Sequence, residues 1–139
     1  QITGTPPILG LAALEAGVDL QLEADPALAE AKGLALAELF IAEVEARAAD
    51  PGPALASPRE PARRGLHVSF SHPQAYAVVQ AMIARGVVGD FRAPDIARFG
   101  FSPLFLSYAQ VWDAAQALAD ILATQAWDRP EFRTRAAVT

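Results

Sequence analysis

The chain has 139 residues and a formal net charge of -5 at pH 7, with 53% hydrophobic and 19% charged residues. This length suits one compact domain, and the hydrophobic share excludes an intrinsically disordered chain. The sequence has no cluster of cations for a nucleic-acid backbone, and charged residues interrupt every long apolar run. We therefore expect one soluble domain that binds neither nucleic acid nor membrane.

Cysteine is absent, which excludes disulfides and thiolate chemistry and is consistent with a cytoplasmic setting. The chain's only lysine, Lys32, lies among alanines of a predicted helix. We interpret it as a solvated surface amine without a catalytic role. Gln1 is not an initiator methionine and residues 1–7 do not resemble a secretion signal, so we expect the chain to begin inside a longer protein.

Two helices are predicted first. Residues 7–16 are apolar on most sides, which predicts a short helix buried all round and ended by Gly17. Asp25 is expected to cap a long helix over residues 26–48. Its predicted buried stripe consists of Leu28, Leu36, Leu39, Phe40 and Val44.

Alternating strands and helices are predicted next. Proline and glycine indicate a connector over residues 50–65, with at most a short strand at 54–57. A strand over 66–71 follows, then a helix from 75 that ends at Gly86 in a left-handed cap. A hairpin is predicted from segments 87–91 and 96–101. A last helix is predicted over residues 108–124, with Val111, Ala115, Leu118 and Leu122 buried. Residues 127–139 are predicted to be a tail.

These elements predict a mixed α/β fold class, and within it a two-layer α+β arrangement. We expect a small, mainly antiparallel sheet of three or four strands covered by helices. Residues 1–139 are expected to form a single domain, in which 1–25 are a linker and interdomain helix region.

Familiar catalytic patterns such as a glycine-rich phosphate loop, HExxH or GxSxG are absent. The two histidines, His67 and His72, lie five residues apart across a strand end. This spacing would place them on opposite faces of a continued strand, so we predict no metal site.

Thr5 is the first candidate for a binding residue. In the segment Gly4-Thr5-Pro6-Pro7, a hydroxyl lies beside the free N–H groups of a starting helix, which is a combination able to hold a phosphate. The alternative is that Thr5 only caps its own helix.

Arg98 is the second candidate, because it is a cation within an apolar strand. A guanidinium flanked by phenylalanines is costly unless paired, and its fork matches a carboxylate. The partner could be a ligand or an internal acid, Asp90 or Asp95.

At these residues the sequence resembles the carboxy-terminal part of bacterial kynureninases, which have the aspartate-aminotransferase-like fold of pyridoxal-phosphate enzymes. The most specific matching motif is GDFRAPD followed by RFGF within residues 72–105. Similar stretches are residues 4–20, 111–124 and 127–139. The sequence departs from the family's pattern at Ser71, where arginine would be expected.

The resemblance implies hydrolysis of L-kynurenine to anthranilate and L-alanine by a pyridoxal 5'-phosphate-dependent homodimer. It implies that Thr5 contacts the cofactor phosphate of the neighbouring subunit and that Arg98 binds the substrate α-carboxylate. The cofactor's imine lysine belongs to the family's large domain, so no residue here is expected to be catalytic and the chain alone is expected to be inactive. The alternative is a non-catalytic module that binds a small carboxylate or dimerises.

Overall fold

A computed structural model describes residues 4, 6–48 and 52–134. Its helices are α1 (Ile8–Leu22), α2 (Pro26–Arg47), α3 (Ala75–Ala84), α4 (Tyr108–Ala123) and α5 (Pro130–Arg133). Its strands are β1 (Ala54–Leu55), β2 (His67–Ser71), β3 (Asp90–Arg92) and β4 (Ile96–Gly100), and a single 3-10 turn spans Pro61–Arg63.

The four described strands form one antiparallel sheet in the order β1-β2-β4-β3. Period-two alternation directs Val68 and Phe70 of β2 to the side that the helices cover. Ala97 and Phe99 of β4 face the same side, and Phe99 packs on Phe40 of α2 at a ring distance of 5.1 Å. The sheet therefore has one helix-covered face and one open face, which confirms the predicted α+β two-layer fold.

The hydrophobic core lies between the sheet and helices α2, α3 and α4. Phe40 is at its centre, because its ring contacts those of Phe70, Phe99 and Phe101. The largest fully buried side chains are Phe40, Phe70, Leu36, Ile41, Met82, Ile121, Val44, Val68, Val78 and Val79.

Helix ends agree with several sequence signals. Asp25 caps α2 by accepting hydrogen bonds from the backbone N–H groups of Ala27 and Leu28. Ser107 and Gln110 form a capping box at the start of α4. Gly86, with φ +82°, follows α3 in the left-handed conformation that its missing Cβ permits.

Helix α1 differs from its prediction. It runs through Gly17 to Leu22, and every residue in it is exposed, so the expectation of a helix ended at Gly17 and buried all round is wrong. An apolar helix can only be buried if another surface meets it. Within this chain the described residues do not provide that surface.

Three smaller differences have packing causes. Leu28 is 70% exposed because α2 meets the core only from Gly33 onward. In α4, Val111, Ala115 and Leu118 are buried as predicted, but in the last turn Ile121 is fully buried and Leu122 only partly. Residues 87–89 are not a strand, because the N–H of Val87 still bonds the carbonyl of Met82 at the end of α3.

The segment interpreted as a tail contributes to the fold as far as it is described. Trp127 and Phe132 pack partly buried against the core, and α5 contacts α3. Across the described residues, no helix is both long and apolar enough to cross a bilayer.

Candidate functional site on the open face of the sheet

The open face of the sheet carries a polar group of side chains. The register pairs His67 with Gly100 and Ser69 with Arg98, and Asp90 lies opposite Arg98 on the other side. Directly opposed residues of antiparallel strands project to the same face. Polar side chains from β2, β4 and β3 therefore lie together on the solvent-exposed face of the sheet.

Arg98 and Asp90 form a two-point ion pair on this face. The Nε of Arg98 donates to Oδ1 of Asp90 at 3.0 Å, and Nη2 donates to Oδ2 at 2.5 Å. The hydrogen bond from Arg98 is the main cause that lowers the pKa of Asp90, and the same bond raises the pKa of Arg98. Of the two internal partners considered from the sequence, Asp90 is therefore the one that Arg98 contacts.

The pair remains accessible. The Arg98 side chain is 35% exposed and that of Asp90 is 44% exposed. Both line a shallow depression of about 440 Å³ together with His67, Val88, Gly89 and Gly100. A small anion could therefore reach the guanidinium without any rearrangement of the core.

A second, apolar cleft of about 560 Å³ borders this depression. Its walls include Phe99, Phe101 and Phe105, and it shares Val88 and Gly100 with the depression. The apolar cleft was not predicted. The signal in the sequence was the run of phenylalanines around Gly100, but only the tertiary structure joins them with residues of α4, such as Val111 and Ala114, into one cleft.

The histidines behave differently from each other. His67 is exposed at the start of β2 and lines the depression. His72 is half-buried, packs edge-on to Trp127, and its Nδ1 accepts a hydrogen bond from the N–H of Gln74. Burial lowers the pKa of His72. No group of side chains suited to a metal ion occurs in the described part of the chain.

Lys32 is more constrained than predicted. Its Nζ donates to the carbonyl of Pro103 at 2.7 Å and the residue is partly buried, so it is not a freely solvated amine. It belongs to α2, which packs on the covered face, whereas Arg98 lies on the open face. Thr5, the predicted phosphate contact, lies outside the described residues.

Comparison with known proteins identifies a family. Residues 29–118 match the family model for the kynureninase C-terminal domain. The chain is 49% identical to the kynureninase of Pseudomonas fluorescens over 138 residues, which is 99% of this chain and 33% of that protein. Kynureninase of Burkholderia mallei strain SAVP1 and Burkholderia pseudomallei strain K96243 gives the same values. The chain thus spans about a third of the length of the curated relatives it matches, and it belongs to the kynureninase C-terminal domain family.

Proposed function

We propose that this chain is part of a hydrolase that cleaves L-kynurenine to anthranilate and L-alanine, and that Arg98 binds the substrate α-carboxylate. The supporting observation is the geometry of Arg98, whose guanidinium is fixed on one side by Asp90 and accessible from a depression on the other. An arginine fork recognises a carboxylate with two parallel hydrogen bonds. This role orients the substrate and involves no bond-making by the chain itself.

Pyridoxal phosphate, when bound in a complete enzyme, would supply the electron sink for the cleavage. The described residues do not fit this cofactor by themselves. It needs a lysine for its imine, and the only lysine of this chain is bonded to the Pro103 carbonyl on the covered side of the sheet. We therefore propose that the cofactor is held by a larger part of the enzyme, with Thr5 contributing a contact to its phosphate.

Helix α1 supports an interface with that larger part. Its apolar side chains are exposed along the whole helix, including Leu9 at 88%. A contiguous apolar surface of this kind marks an interaction site. We propose that the large domain of the enzyme covers α1, that the complete protein is a cytoplasmic homodimer, and that the chain alone is inactive.

A chimera tests this proposal. The third of Pseudomonas fluorescens kynureninase that matches this chain is replaced by the chain itself, and turnover of L-kynurenine is followed by the fluorescence of anthranilate. We expect turnover that depends on pyridoxal phosphate, and none from the chain alone. A folded, dimeric chimera that lacks turnover contradicts the proposal.

Variants at Arg98 test the residue assignment in the same chimera. We expect Arg98→Ala to raise KM by about a hundredfold, because a charge-assisted pair contributes roughly 2–3 kcal/mol. Arg98→Lys should restore part of the loss, since lysine keeps the charge but not the fork. An unchanged KM in Arg98→Ala rules out the carboxylate role.

A further inference from the structure

The guanidinium of Arg98 has two edges that can hold a carboxylate. Asp90 occupies the side edge, formed by Nε and Nη2. Among the described residues, Nη1 has no hydrogen-bond partner, so the end edge formed by Nη1 and Nη2 is available. An internal acid and a ligand can therefore bind the same arginine at once.

Asp90 is itself held in a fixed position. It lies directly opposite Arg98 in the β3–β4 register, and its short side chain has few rotamers. Gly89, just before it, lets β3 approach β4 closely, because a Cβ there would be 3.1 Å from the Arg98 carbonyl oxygen. An arginine without such a partner would lose more side-chain entropy when a ligand binds.

The charge of Asp90 opposes an anionic ligand, and Arg92 offsets this effect. Its Nη2 lies 3.2 Å from Oδ2 of Asp90, so the group of Arg92, Asp90 and Arg98 has a net charge of about +1 when all three are ionised. The depression thus keeps a field that attracts a carboxylate.

We propose that Asp90 is a positioning residue, which holds the side edge of Arg98 so that its end edge is presented to the substrate carboxylate. This inference rests on the proposed function of Arg98. It adds that the internal ion pair assists ligand binding and does not compete with it.

The substitution Asp90→Asn in the chimera shows whether Asp90 assists or opposes ligand binding, because the two roles change KM in opposite directions. The amide has the same shape but cannot accept from both Nε and Nη2, and it removes one negative charge from the site. If Asp90 positions Arg98, KM for L-kynurenine rises by about fivefold to tenfold, which corresponds to disordering one long side chain. If Asp90 only opposes the ligand, KM falls.

Two controls separate positioning from a general loss of structure. Asp120→Asn breaks an exposed ion pair with Arg85 away from the depression, and it should leave KM unchanged. Kynuramine, the amine that lacks the α-carboxylate, should inhibit the Asp90→Asn and unaltered chimeras with the same Ki within about twofold.

The outcomes distinguish this inference from the proposed function. A lower or unchanged KM in Asp90→Asn, with a raised KM in Arg98→Ala, overturns the positioning role and leaves the carboxylate role intact. Equal increases in KM and in the Ki of kynuramine also overturn it, since Asp90 would then act through the fold. No effect of Arg98→Ala removes the proposed function itself.

Discussion

The ring of Phe99 occupies the space where a side chain at residue 89 would begin. A Cβ built on Gly89 would lie 2.7 Å from Cε1 of Phe99 and 3.1 Å from the carbonyl oxygen of Arg98. Phe99 is buried against Phe40, so its ring cannot move aside without disturbing the core. Gly89 therefore determines how closely the strand that carries Asp90 approaches Arg98.

Gly89→Ala should destabilise the chain by about 1–3 kcal/mol, the usual cost of overpacking a core. Gly100→Ala is the matched control in the same hairpin, because nothing lies within 4 Å of a Cβ there. Its effect should stay within about 0.5 kcal/mol. Urea unfolding followed by tryptophan fluorescence measures both. Equal stability of the two variants would contradict the close-approach argument.

Arg64 fixes the connector before β2 to helix α2. Its side chain is 2% exposed, and it donates to the carbonyls of Pro58 and Arg59 and to the carboxylate of Glu38. Arg64→Met should cost about 2–3 kcal/mol, because it removes three hydrogen bonds that contribute roughly 1 kcal/mol each. The free energy of unfolding measures the loss.

Arg59 provides the comparison for Arg64. Its side chain is 56% exposed and it pairs with Glu45 and Glu38 at the surface. Arg59→Met should cost less than about 1 kcal/mol, the usual range for exposed ion pairs. If both methionine variants lost the same stability, burial would not be what makes Arg64 important.

His72 makes the stability of the chain depend on pH. Burial lowers its pKa from 6.5, so the folded state favours the neutral ring. The contribution of His72 is fully present above pH 6.5 and is lost as the pH falls through its lower folded-state pKa. The loss cannot exceed about 1.4 kcal/mol per pH unit for one proton.

Urea unfolding at pH 7.5 and 5.5 measures this dependence. His72→Asn should flatten it, because asparagine does not titrate and its oxygen can still accept from the N–H of Gln74. A pH dependence that survives in His72→Asn assigns the titration to another group.

Replacing the exposed side chains of α1 should affect assembly but not the core. The triple substitution Leu11→Gln, Leu14→Gln and Val18→Gln changes residues that line only a shallow surface on α1. In the isolated chain the free energy of unfolding should change by less than about 0.5 kcal/mol. In the chimera, sedimentation and turnover should show impaired assembly. Normal assembly would contradict the proposed interface.

Local signals predicted most elements because each depends on neighbours in sequence. The cap at Asp25, the left-handed Gly86 and the alternation through Val68 and Phe70 all appear where expected. The exposure of α1 could not be predicted from local signals. Its apolar composition indicates burial, but composition does not say whether the covering surface belongs to the same chain.

At the candidate site, too, local sequence predicted one property and the tertiary structure decided another. The sequence indicated that Arg98 needs an anionic partner, because an arginine between apolar residues is costly alone. It could not choose between Asp90, Asp95 and a ligand. The register of β3 against β4 decided the internal partner, since it puts Asp90 directly opposite Arg98.

The sequence by itself determined the α+β class, most helix and strand positions and the need of Arg98 for a carboxylate, since periodicity, capping and charge act over a few residues. Only the tertiary structure decided which edge of Arg98 stays open, that Lys32 is bound to the Pro103 carbonyl, and that α1 is uncovered. The first feature depends on the register of β3 against β4, and the second joins residues 71 positions apart in the chain. The third concerns a covering surface that the described residues do not supply.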